Sequence, residues 1–166
     1  MIMATSLVLD FGEDTTKDWR VVNDGVMGGL SQGTVSYVDD IMHFEGTLSL
    51  ENNGGFSSIR GPLKNYDLSS FEKVTIRFRG NGGTFGLRLK TDEPYYMPYF
   101  KMNFLPTDEW QTMTFDLRDF PQWRLNDLTG SKADTESLSK IIRLGIIKSD
   151  KKVGPFELDV DYIKFE

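Results

Sequence analysis

The sequence contains few side chains of the kinds that carry out covalent or metal chemistry. Among its 166 residues there is no cysteine and one histidine, His43. Without cysteine, thiolate catalysis, disulfides, zinc fingers and iron–sulfur ligation are all excluded. One histidine excludes sites built from several and leaves one candidate general base, which would need a placed partner. Because His43 lies between Met42 and Phe44 in an alternating segment, we expect an ordinary strand residue there.

Carboxylates are the other candidate catalytic groups. Asp116 with Asp119, and Asp39 with Asp40, are close in sequence, but 25 acidic residues make such pairs common by chance. No side chain stands out as a nucleophile or as a stabiliser of a developing oxyanion. We therefore expect no enzyme; the open alternative is an enzyme that acts on a small metabolite in a cleft and uses His43.

Charge and hydropathy limit the partners and the location. The net charge of −6 and the isoelectric point near 4.9 argue against a nucleic-acid partner, which would require a basic surface. No segment approaches the roughly 20 apolar residues of a membrane-spanning helix. The first residues lack the basic and apolar regions of a signal peptide, so a cytoplasmic location is expected.

The composition and the periodicity predict an all-β protein. Aromatic residues make up 13% of the chain and there are 16 glycines, a balance typical of short strands and tight turns. In residues 73–79 apolar and polar side chains alternate, and the pattern resumes in residues 85–90 after Asn81-Gly82-Gly83, which predicts a hairpin. No linker or repeat divides the sequence, so we expect one domain over residues 1–166, a jelly-roll β-sandwich.

Other segments predict further strands. They are residues 6–11, 34–38, 41–45, 56–60, 96–104, 110–117, 141–148 and 156–165. Between Phe120 and Leu138 the pattern lapses, which predicts a polar loop that ends in a short helix at residues 134–139. In the last strand Phe156, Leu158 and Val160 share one face whereas Ile163 and Phe165 lie on the other. Either a bulge shifts the register there, or both faces are buried.

An aromatic segment offers a candidate binding face. If Tyr96, Phe100, Met102 and Phe104 point into the core, the opposite face carries Tyr95, Met97, Tyr99, Lys101 and Asn103. Arg88 would join that face from the neighbouring strand, and Trp110 and Trp123 are candidates to lie nearby. Aromatic rings beside polar donors bind sugars or peptides by stacking and hydrogen bonding.

Two glycine-rich segments, residues 19–31 and 44–60, differ from ordinary strand sequence. Asp24-Gly25, Gly28-Gly29 and Asn53-Gly54-Gly55 are turn signals, and Met27 is expected to be buried between two of them. No Gly-Lys-Ser/Thr ending or strand–loop–helix setting suggests a phosphate-binding loop. Whether these segments form a site or support the fold stays open at this stage.

These segments resemble the complex I intermediate-associated protein 30 family. The similarity rests on Asn23-Asp24-Gly25-Val26-Met27-Gly28-Gly29 with Ser31, on the run from Phe44 to Phe56 with Arg60, and on Gly154-Pro155-Phe156 with Leu158. The resemblance implies a galactose-binding-like jelly roll, similar to carbohydrate-binding modules. It also implies a non-enzymatic assembly factor or chaperone, since mitochondrial members assist the assembly of respiratory complex I.

The leading hypothesis is therefore a protein-interaction domain whose partner is a subunit of a respiratory or other membrane complex. The alternative is a carbohydrate-binding module that uses the aromatic face, with a glycan or another small molecule as ligand. The predicted ligand- or partner-binding residues, taken from both the glycine-rich segments and the aromatic face, are Asp24, Met27, Ser31, Arg60, Arg88, Tyr95, Tyr99 and Trp123.

A structural calcium ion is a further expectation, and no other cofactor is expected. Jelly rolls of the carbohydrate-binding type often hold calcium between their first and last strands. Glu13 and Asp14 follow the first predicted strand, and Asp159 and Asp161 lie in the last. These carboxylates are the hard oxygen ligands that Ca²⁺ prefers, although the ion needs six to eight oxygens.

Overall fold

A computed structural model describes residues 6–12, 17–23 and 29–166 of the chain. Within these residues almost all of the regular structure is β-strand. The strands are β1 (Leu7–Asp10), β2 (Arg20–Asn23), β3 (Gln32–Val38), β4 (Ile41–Leu48), β5 (Ser57–Arg60), β6 (Lys73–Asn81), β7 (Phe85–Lys90), β8 (Tyr99–Phe104), β9 (Gln111–Asp116), β10 (Pro121–Arg124), β11 (Asp127–Lys132), β12 (Arg143–Lys148) and β13 (Gly154–Phe165). One short helix, α1 (Thr135–Leu138), and one-turn 3₁₀ helices at Glu51–Asn53 and Leu117–Asp119 complete the set in this part of the chain.

The strands form two antiparallel sheets. The six-stranded sheet has the order β3-β4-β13-β6-β9, with β1 pairing with the C-terminal end of β13. The seven-stranded sheet has the order β11-β10-β8-β7-β12-β5-β2. Neighbours in each sheet are mostly distant in sequence, so the chain crosses repeatedly from one sheet to the other. This arrangement confirms the predicted jelly-roll β-sandwich.

Phenylalanine side chains join the two sheets in the core. Phe44, Phe78 and Phe156 project from the six-stranded sheet, and Phe85 and Phe104 project from the seven-stranded sheet. Ring centroids are 5.0 Å apart for Phe44 and Phe156 and 4.7 Å apart for Phe78 and Phe104. Each of these rings is at most 3% exposed, so the aromatic content of the sequence supplies much of the buried apolar area that holds the sheets together.

The predicted hairpin between residues 73–79 and 85–90 is wrong. β6 pairs with β13 and β9, whereas β7 pairs with β8 and β12 in the other sheet. The turn at Gly82 and Gly83 has φ angles of +98° and +126°, and a Cβ on Gly82 would lie 2.5 Å from the Cα of Phe156. The glycines therefore allow the chain to pass close to β13 on its way from one sheet to the other.

The predicted polar loop between Phe120 and Leu138 is also wrong in part. It contains β10 and β11, which pair with each other and extend the seven-stranded sheet beyond β8. Every residue of β11 is exposed, so the strand shows no apolar alternation that would distinguish it from a loop. β2 was not predicted for a related reason, since Arg20–Asn23 is too short to show a period. The short helix predicted at the end of the segment is confirmed as α1.

The irregular alternation in the last strand is caused by a bulge. The register of β13 against β6 shifts between Val160 and Tyr162. Leu158 and Val160 are buried before the shift, and Ile163 and Phe165 are buried after it. One extra residue therefore moves the core-facing positions from even to odd numbers.

Gly46, in the second glycine-rich segment, has a structural role. A Cβ on Gly46 would lie 1.9 Å from the carbonyl oxygen of Gln32 on the neighbouring strand β3. No side chain fits in that space, so Gly46 permits the close pairing of β3 and β4. At this position the motif supports the fold.

Candidate functional site

A row of cationic side chains crosses the outer face of the seven-stranded sheet, the face turned away from the core. Lys101 on β8 is paired in register with Arg88 on β7, and Arg88 is paired with Gly145 on β12. Gly145 is paired with Arg60 on β5, which in turn is paired with Arg20 on β2. Residues in register on neighbouring strands point to the same face. Leu87 and Leu89 point into the core, so Arg88 and its row point outward.

A second row adds further positive charge. Lys90 is the outward residue that follows Arg88 on β7, and it is paired in register with Arg143 on β12. Arg143 donates to Glu93 at 3.0 Å and is thereby neutralised. Lys90 donates to the backbone carbonyl of Glu93 at 3.2 Å, which satisfies one proton but not its charge. We call Arg60, Arg88, Lys90 and Lys101 the cationic face.

Three members of the cationic face are buried, Arg60 is half-buried, and none forms a salt bridge in the described residues. Arg88 is 7% exposed, Lys90 5% and Lys101 8%. Within the described residues no salt bridge joins any member of the cationic face to a carboxylate. The Nε and Nη2 atoms of Arg88, and the Nε atom of Arg60, are buried and have no hydrogen-bond partner in that part of the chain. Buried charges are normally paired, so this arrangement is unusual.

The pKa values of these groups are lowered by the same excess of buried positive charge. Burial, and then the charge of Arg60, lowers the pKa of Arg88 to about 10. Burial, and then the charge of Arg88, lowers the pKa of Lys101 from 10.5 to about 8. Burial and the charges of Arg88, Arg60 and Arg143 lower the pKa of Lys90 to about 8 as well. All of these shifts disfavour the charged form, which an anion bound among the cations would restore.

Two aromatic rings lie beside the cationic face. The guanidinium of Arg88 is 5.4 Å from the ring centroid of Tyr99, and the Nζ atom of Lys101 is 4.2 Å from that of Trp123. Tyr99 donates its hydroxyl proton to the backbone carbonyl of Leu125 at 2.9 Å, which ties β8 to the β10–β11 turn. These cation–π contacts offset a small part of the cost of burying the charges.

An open groove begins at Lys101 and runs along the end of the sheet. It has a volume of about 250 Å³, and its walls include Gly86, Asn103, Trp123 and Asn126. Lys101 lies over Gly86, where a Cβ would be 2.5 Å from the lysine Cδ. The glycine therefore provides the space that the lysine stem occupies between Arg88 and the groove.

Of the predicted binding residues, Arg60, Arg88, Tyr99 and Trp123 come together on this outer face. The others do not join them. Tyr95 lies before β8, is 67% exposed and stacks edge-on against Tyr96. The Ser31 hydroxyl donates to the carbonyl of Ser49 and accepts from its N–H, which holds two loops together. Asp24 and Met27 lie outside the described residues.

Trp110 lies on the other sheet. Its ring is 4.4 Å from the guanidinium of Arg77 and 4.6 Å from that of Arg79. The prediction that it joins the aromatic face is therefore wrong, because β9 pairs with β6 rather than with β8.

The described carboxylates of the expected calcium site are engaged by cations. Asp159 accepts from Arg79 Nε at 2.9 Å and contacts His43 Nδ1 at 2.5 Å. Asp161 accepts from Arg77 at 3.0 Å. This charge-balanced setting fits a calcium ion poorly, since the ion would have to displace the arginines. Glu13 and Asp14 lie outside the described residues, so the calcium site stays a prediction.

His43 belongs to the same charge-balanced network. Its Nε2 atom is 3.0 Å from Glu45, and Glu157 lies close enough to form a group that could hold a metal ion. Burial lowers the pKa of His43, but the hydrogen bonds to Asp159 and Glu45 outweigh it and raise the pKa overall. Both ring nitrogens lie within hydrogen-bond distance of carboxylates, which favour the protonated form of the imidazole.

Sequence reasoning did not include Lys90 and Arg143 in the site. The signal available was the alternation in β7, which places Arg88 and Lys90 on one face. What the sequence does not contain is the strand order that places β5 and β12 beside β7. The concentration of charge becomes visible only when those strands are neighbours.

Comparison with known proteins identifies the family of this chain. A family model described as complex I intermediate-associated protein 30 matches residues 9–160. The chain belongs to the complex I intermediate-associated protein 30 family. A mouse (Mus musculus) relative named "Complex I intermediate-associated protein 30, mitochondrial" is 28% identical over 176 residues, covering 91% of this chain and 52% of the relative. This member of the family thus spans about half the length of that curated relative.

Carbohydrate-binding modules are among the solved structures similar to this family member. The family 11 module of the cellulase Lic26A-Cel5E of Clostridium thermocellum superposes with a TM-score of 0.73 at 15% identity, covering 99% of this chain and 95% of the module. A family 29 module gives a TM-score of 0.55 at 13% identity, covering 99% and 87%. At this identity the likeness shows the fold alone.

In the described residues, no helix is both long and apolar enough to cross a membrane. The name of the mouse relative places that protein in mitochondria. The expected cytoplasmic location of this chain stays a prediction.

Proposed function

We propose that this chain is a non-catalytic, protein-binding assembly factor that acts on a respiratory complex I intermediate. Family membership over residues 9–160 supports the class of function. The cationic face supplies the binding surface in this proposal, and its partner is a protein that presents anionic groups to it.

The observation that carries the proposal is the burial of Arg88 with its Nε and Nη2 donors unpaired. A buried donor without an acceptor costs on the order of 1–3 kcal/mol, and more for a charged group. A partner that supplies the acceptors recovers this cost on binding, so the site is prepared for an anionic ligand. The cations also make the approach of an acidic surface faster and more selective.

Affinity purification from the native host tests this proposal. The tagged protein is compared with the triple variant Arg60→Gln/Arg88→Gln/Lys101→Gln. A matched control, Lys132→Gln/Lys140→Gln/Lys164→Gln, removes the same charge from side chains that are at least 38% exposed. We expect complex I subunits to co-purify with the unmodified protein and the control, but not with the triple variant.

Two outcomes would overturn the proposal. If no complex I subunit co-purifies with any form, the assembly role is wrong. If the triple variant retains the same subunits while its circular dichroism spectrum shows a folded protein, the cationic face is not the binding surface.

A carbohydrate-binding role is the second candidate, and one observation favours it. Tyr99 and Trp123 lie on the outer sheet face of a fold shared with carbohydrate-binding modules. Both rings are already in contact with cations, and Tyr99 is only 8% exposed, so neither offers a clear ring face for sugar stacking. A glycan ligand would therefore have to be acidic. A glycan array that includes uronic-acid polymers tests this role, and an absence of signal would eliminate it.

A further inference from the structure

We infer that the centre of the cationic face is a binding site for a phosphate-type oxyanion, held by Arg60, Arg88, Lys90 and Lys101. The inference builds on the proposed function in one respect: it uses the same face and names the group that the face recognises. It stands on separate observations, and its test requires no protein partner.

The first observation concerns the edge of the Arg88 guanidinium group that lacks hydrogen-bond partners. Nε and Nη2 lie on the same side of a guanidinium and form its two-pronged edge. In Arg88 both of these atoms are buried and have no hydrogen-bond partner in the described residues. This edge matches two oxygens of a phosphate or carboxylate in a bidentate arrangement, one of the stronger hydrogen-bond geometries in proteins. The free edge therefore has the geometry of an oxyanion receptor.

The second observation is that Arg88 and Arg60 flank one position that carries no side chain. Arg88 and Arg60 lie in one row with Gly145 between them, so no side chain separates the two guanidinium groups. Neighbouring strands are about 4.8 Å apart, so one anion above Gly145 lies within reach of both long side chains. Lys101 lies beside Arg88 on β8 with its ammonium over Trp123, and Lys90 follows Arg88 on β7 with its ammonium at the carbonyl of Glu93. Both become further donors when their side chains turn toward the anion. Donors from several directions suit a tetrahedral dianion better than a planar carboxylate.

The third observation is that other half-buried arginines of the described residues have partners. Arg118 donates to the backbone carbonyls of Ser69 and Phe71, and three more arginines bond to carboxylates. Arg77 bonds to Asp161, Arg79 to Asp159 and Arg143 to Glu93, each at 3.0 Å or less. The chain has 25 acidic residues against 19 basic ones, so carboxylates are abundant. In the described part of the chain, Glu93 is the one carboxylate whose charge acts on Arg60 and Lys90, and it is bonded to Arg143, so most of the charge of the cationic face is left to be balanced by a ligand.

The groove beside Lys101 provides the entry path. Lys101 forms part of its wall and separates it from Arg88. A lysine side chain rotates about four single bonds, so its ammonium can move to let an anion pass and then contact the anion. Trp123, whose ring lies under that ammonium, defines the position to which it returns.

Binding of inorganic phosphate to the purified protein tests the inference. Calorimetric titrations at constant ionic strength compare the unmodified protein, Arg88→Gln, and the charge-matched control Lys140→Gln, whose exposed side chain lies just after helix α1. We expect saturable one-to-one binding, weakened about tenfold or more by Arg88→Gln because charge-assisted hydrogen bonds are lost, and unchanged by Lys140→Gln. In ¹⁵N spectra the Arg88 Nε–H signal should shift as phosphate is added.

Three results would overturn the inference. One is a phosphate response no larger than that of chloride at equal ionic strength. Another is equal phosphate binding by Arg88→Gln and the unmodified protein. The third is binding of malonate, a dicarboxylate of the same charge, as tightly as phosphate, which would contradict a tetrahedral oxyanion. Because the fold of Arg88→Gln is checked by circular dichroism, an unfolded variant would be recognised, and Lys101→Gln would then take its place.

A second set of titrations identifies the source of the phosphoryl group. Glycerol phosphate stands for a free metabolite, and a short phosphoserine peptide stands for a modified protein partner, with the unphosphorylated peptide as control. Tighter binding of the phosphopeptide than of glycerol phosphate assigns the group to a protein partner, and equal binding assigns it to a small molecule. Both results support the oxyanion site.

The two proposals fail in different ways. If phosphate binds at Arg88 but no complex I subunit co-purifies, the oxyanion site stands and the assembly role does not. If complex I subunits co-purify through the cationic face but phosphate does not bind, the assembly role stands and the oxyanion site is wrong.

Discussion

Replacing Arg88 with methionine should stabilise the protein when no anion is present. Arg88 is 7% exposed, and its pKa is lowered to about 10 by burial and then by the charge of Arg60. A lowered pKa in a base means that folding disfavours its charged form. At pH 7 the arginine is charged in both states, so the full cost is present there. This cost disappears only as the pH rises above about 10 toward the ordinary pKa of an arginine.

The size of the effect follows from this shift. At about 1.4 kcal/mol per pKa unit, the burial of the charge costs about 3 kcal/mol. Methionine has a similar length, is apolar and adapts to irregular space, so it removes this cost without leaving a large cavity. The variant loses the contact between Arg88 and the ring of Tyr99, which contributes about 1 kcal/mol. We therefore expect a net gain of about 1–2 kcal/mol in the free energy of unfolding.

Urea unfolding at pH 7 in a buffer free of phosphate and sulfate measures this difference. Arg79→Met is the matched control, because Arg79 is paired with Asp159 and stacked on Trp110 on the other sheet. The control should lose about 1 kcal/mol, since an ion pair and a cation–π contact are removed. If Arg88→Met is destabilised as much as Arg79→Met, Arg88 is a satisfied structural residue and the reasoning about unpaired charge is refuted.

Three further predictions concern the lysines, the histidine and the core. The free energy of unfolding should rise from about pH 8 toward pH 10. The reason is that Lys90 and Lys101 release their protons near pH 8 in the folded protein but near pH 10.5 in the unfolded chain. A urea midpoint that falls over this pH range would contradict the prediction. His43 has a raised pKa, so its contribution is complete below pH 6.5 and is lost as the pH rises through the folded value. His43→Gln should therefore flatten that part of the stability profile, and an unchanged slope would show that another group causes it. Phe44→Ala should lower the free energy of unfolding in urea by about 3–5 kcal/mol, since the ring is fully buried and its centroid lies 5.0 Å from that of Phe156. A decrease below about 1 kcal/mol would mean that the core collapses around the cavity.

The accuracy of the strand predictions followed the burial of each strand. β6 and β7 have one apolar face and one polar face, so their alternation was visible in the sequence. β11 lies on the sheet edge with every residue exposed, and it is held by backbone pairing that leaves no apolar pattern. The bulge in β13 was visible as a change in the alternation, but the alternative of burial on both faces was excluded only by the register against β6.

The candidate site shows the same division. The sequence by itself determined which residues have the chemistry: Arg88 and Lys90 alternate with core leucines, and Tyr99 and Lys101 alternate with core phenylalanines. It also determined the absence of cysteine and the presence of a single histidine, which limit catalysis.

Only the tertiary structure decided that these residues meet. The predicted hairpin would have placed Arg77 and Arg79 beside Arg88, whereas the sheet order places them on the opposite side of the sandwich, where Asp159 and Asp161 neutralise them. Arg60 reaches Arg88 because β5 and β7 both pair with β12, a contact between distant parts of the chain. Alternation along one strand fixes which face a side chain occupies, but the partners of that strand depend on packing of the whole core. For this reason the sequence shows which residues are charged, whereas their lack of salt-bridge partners depends on the fold.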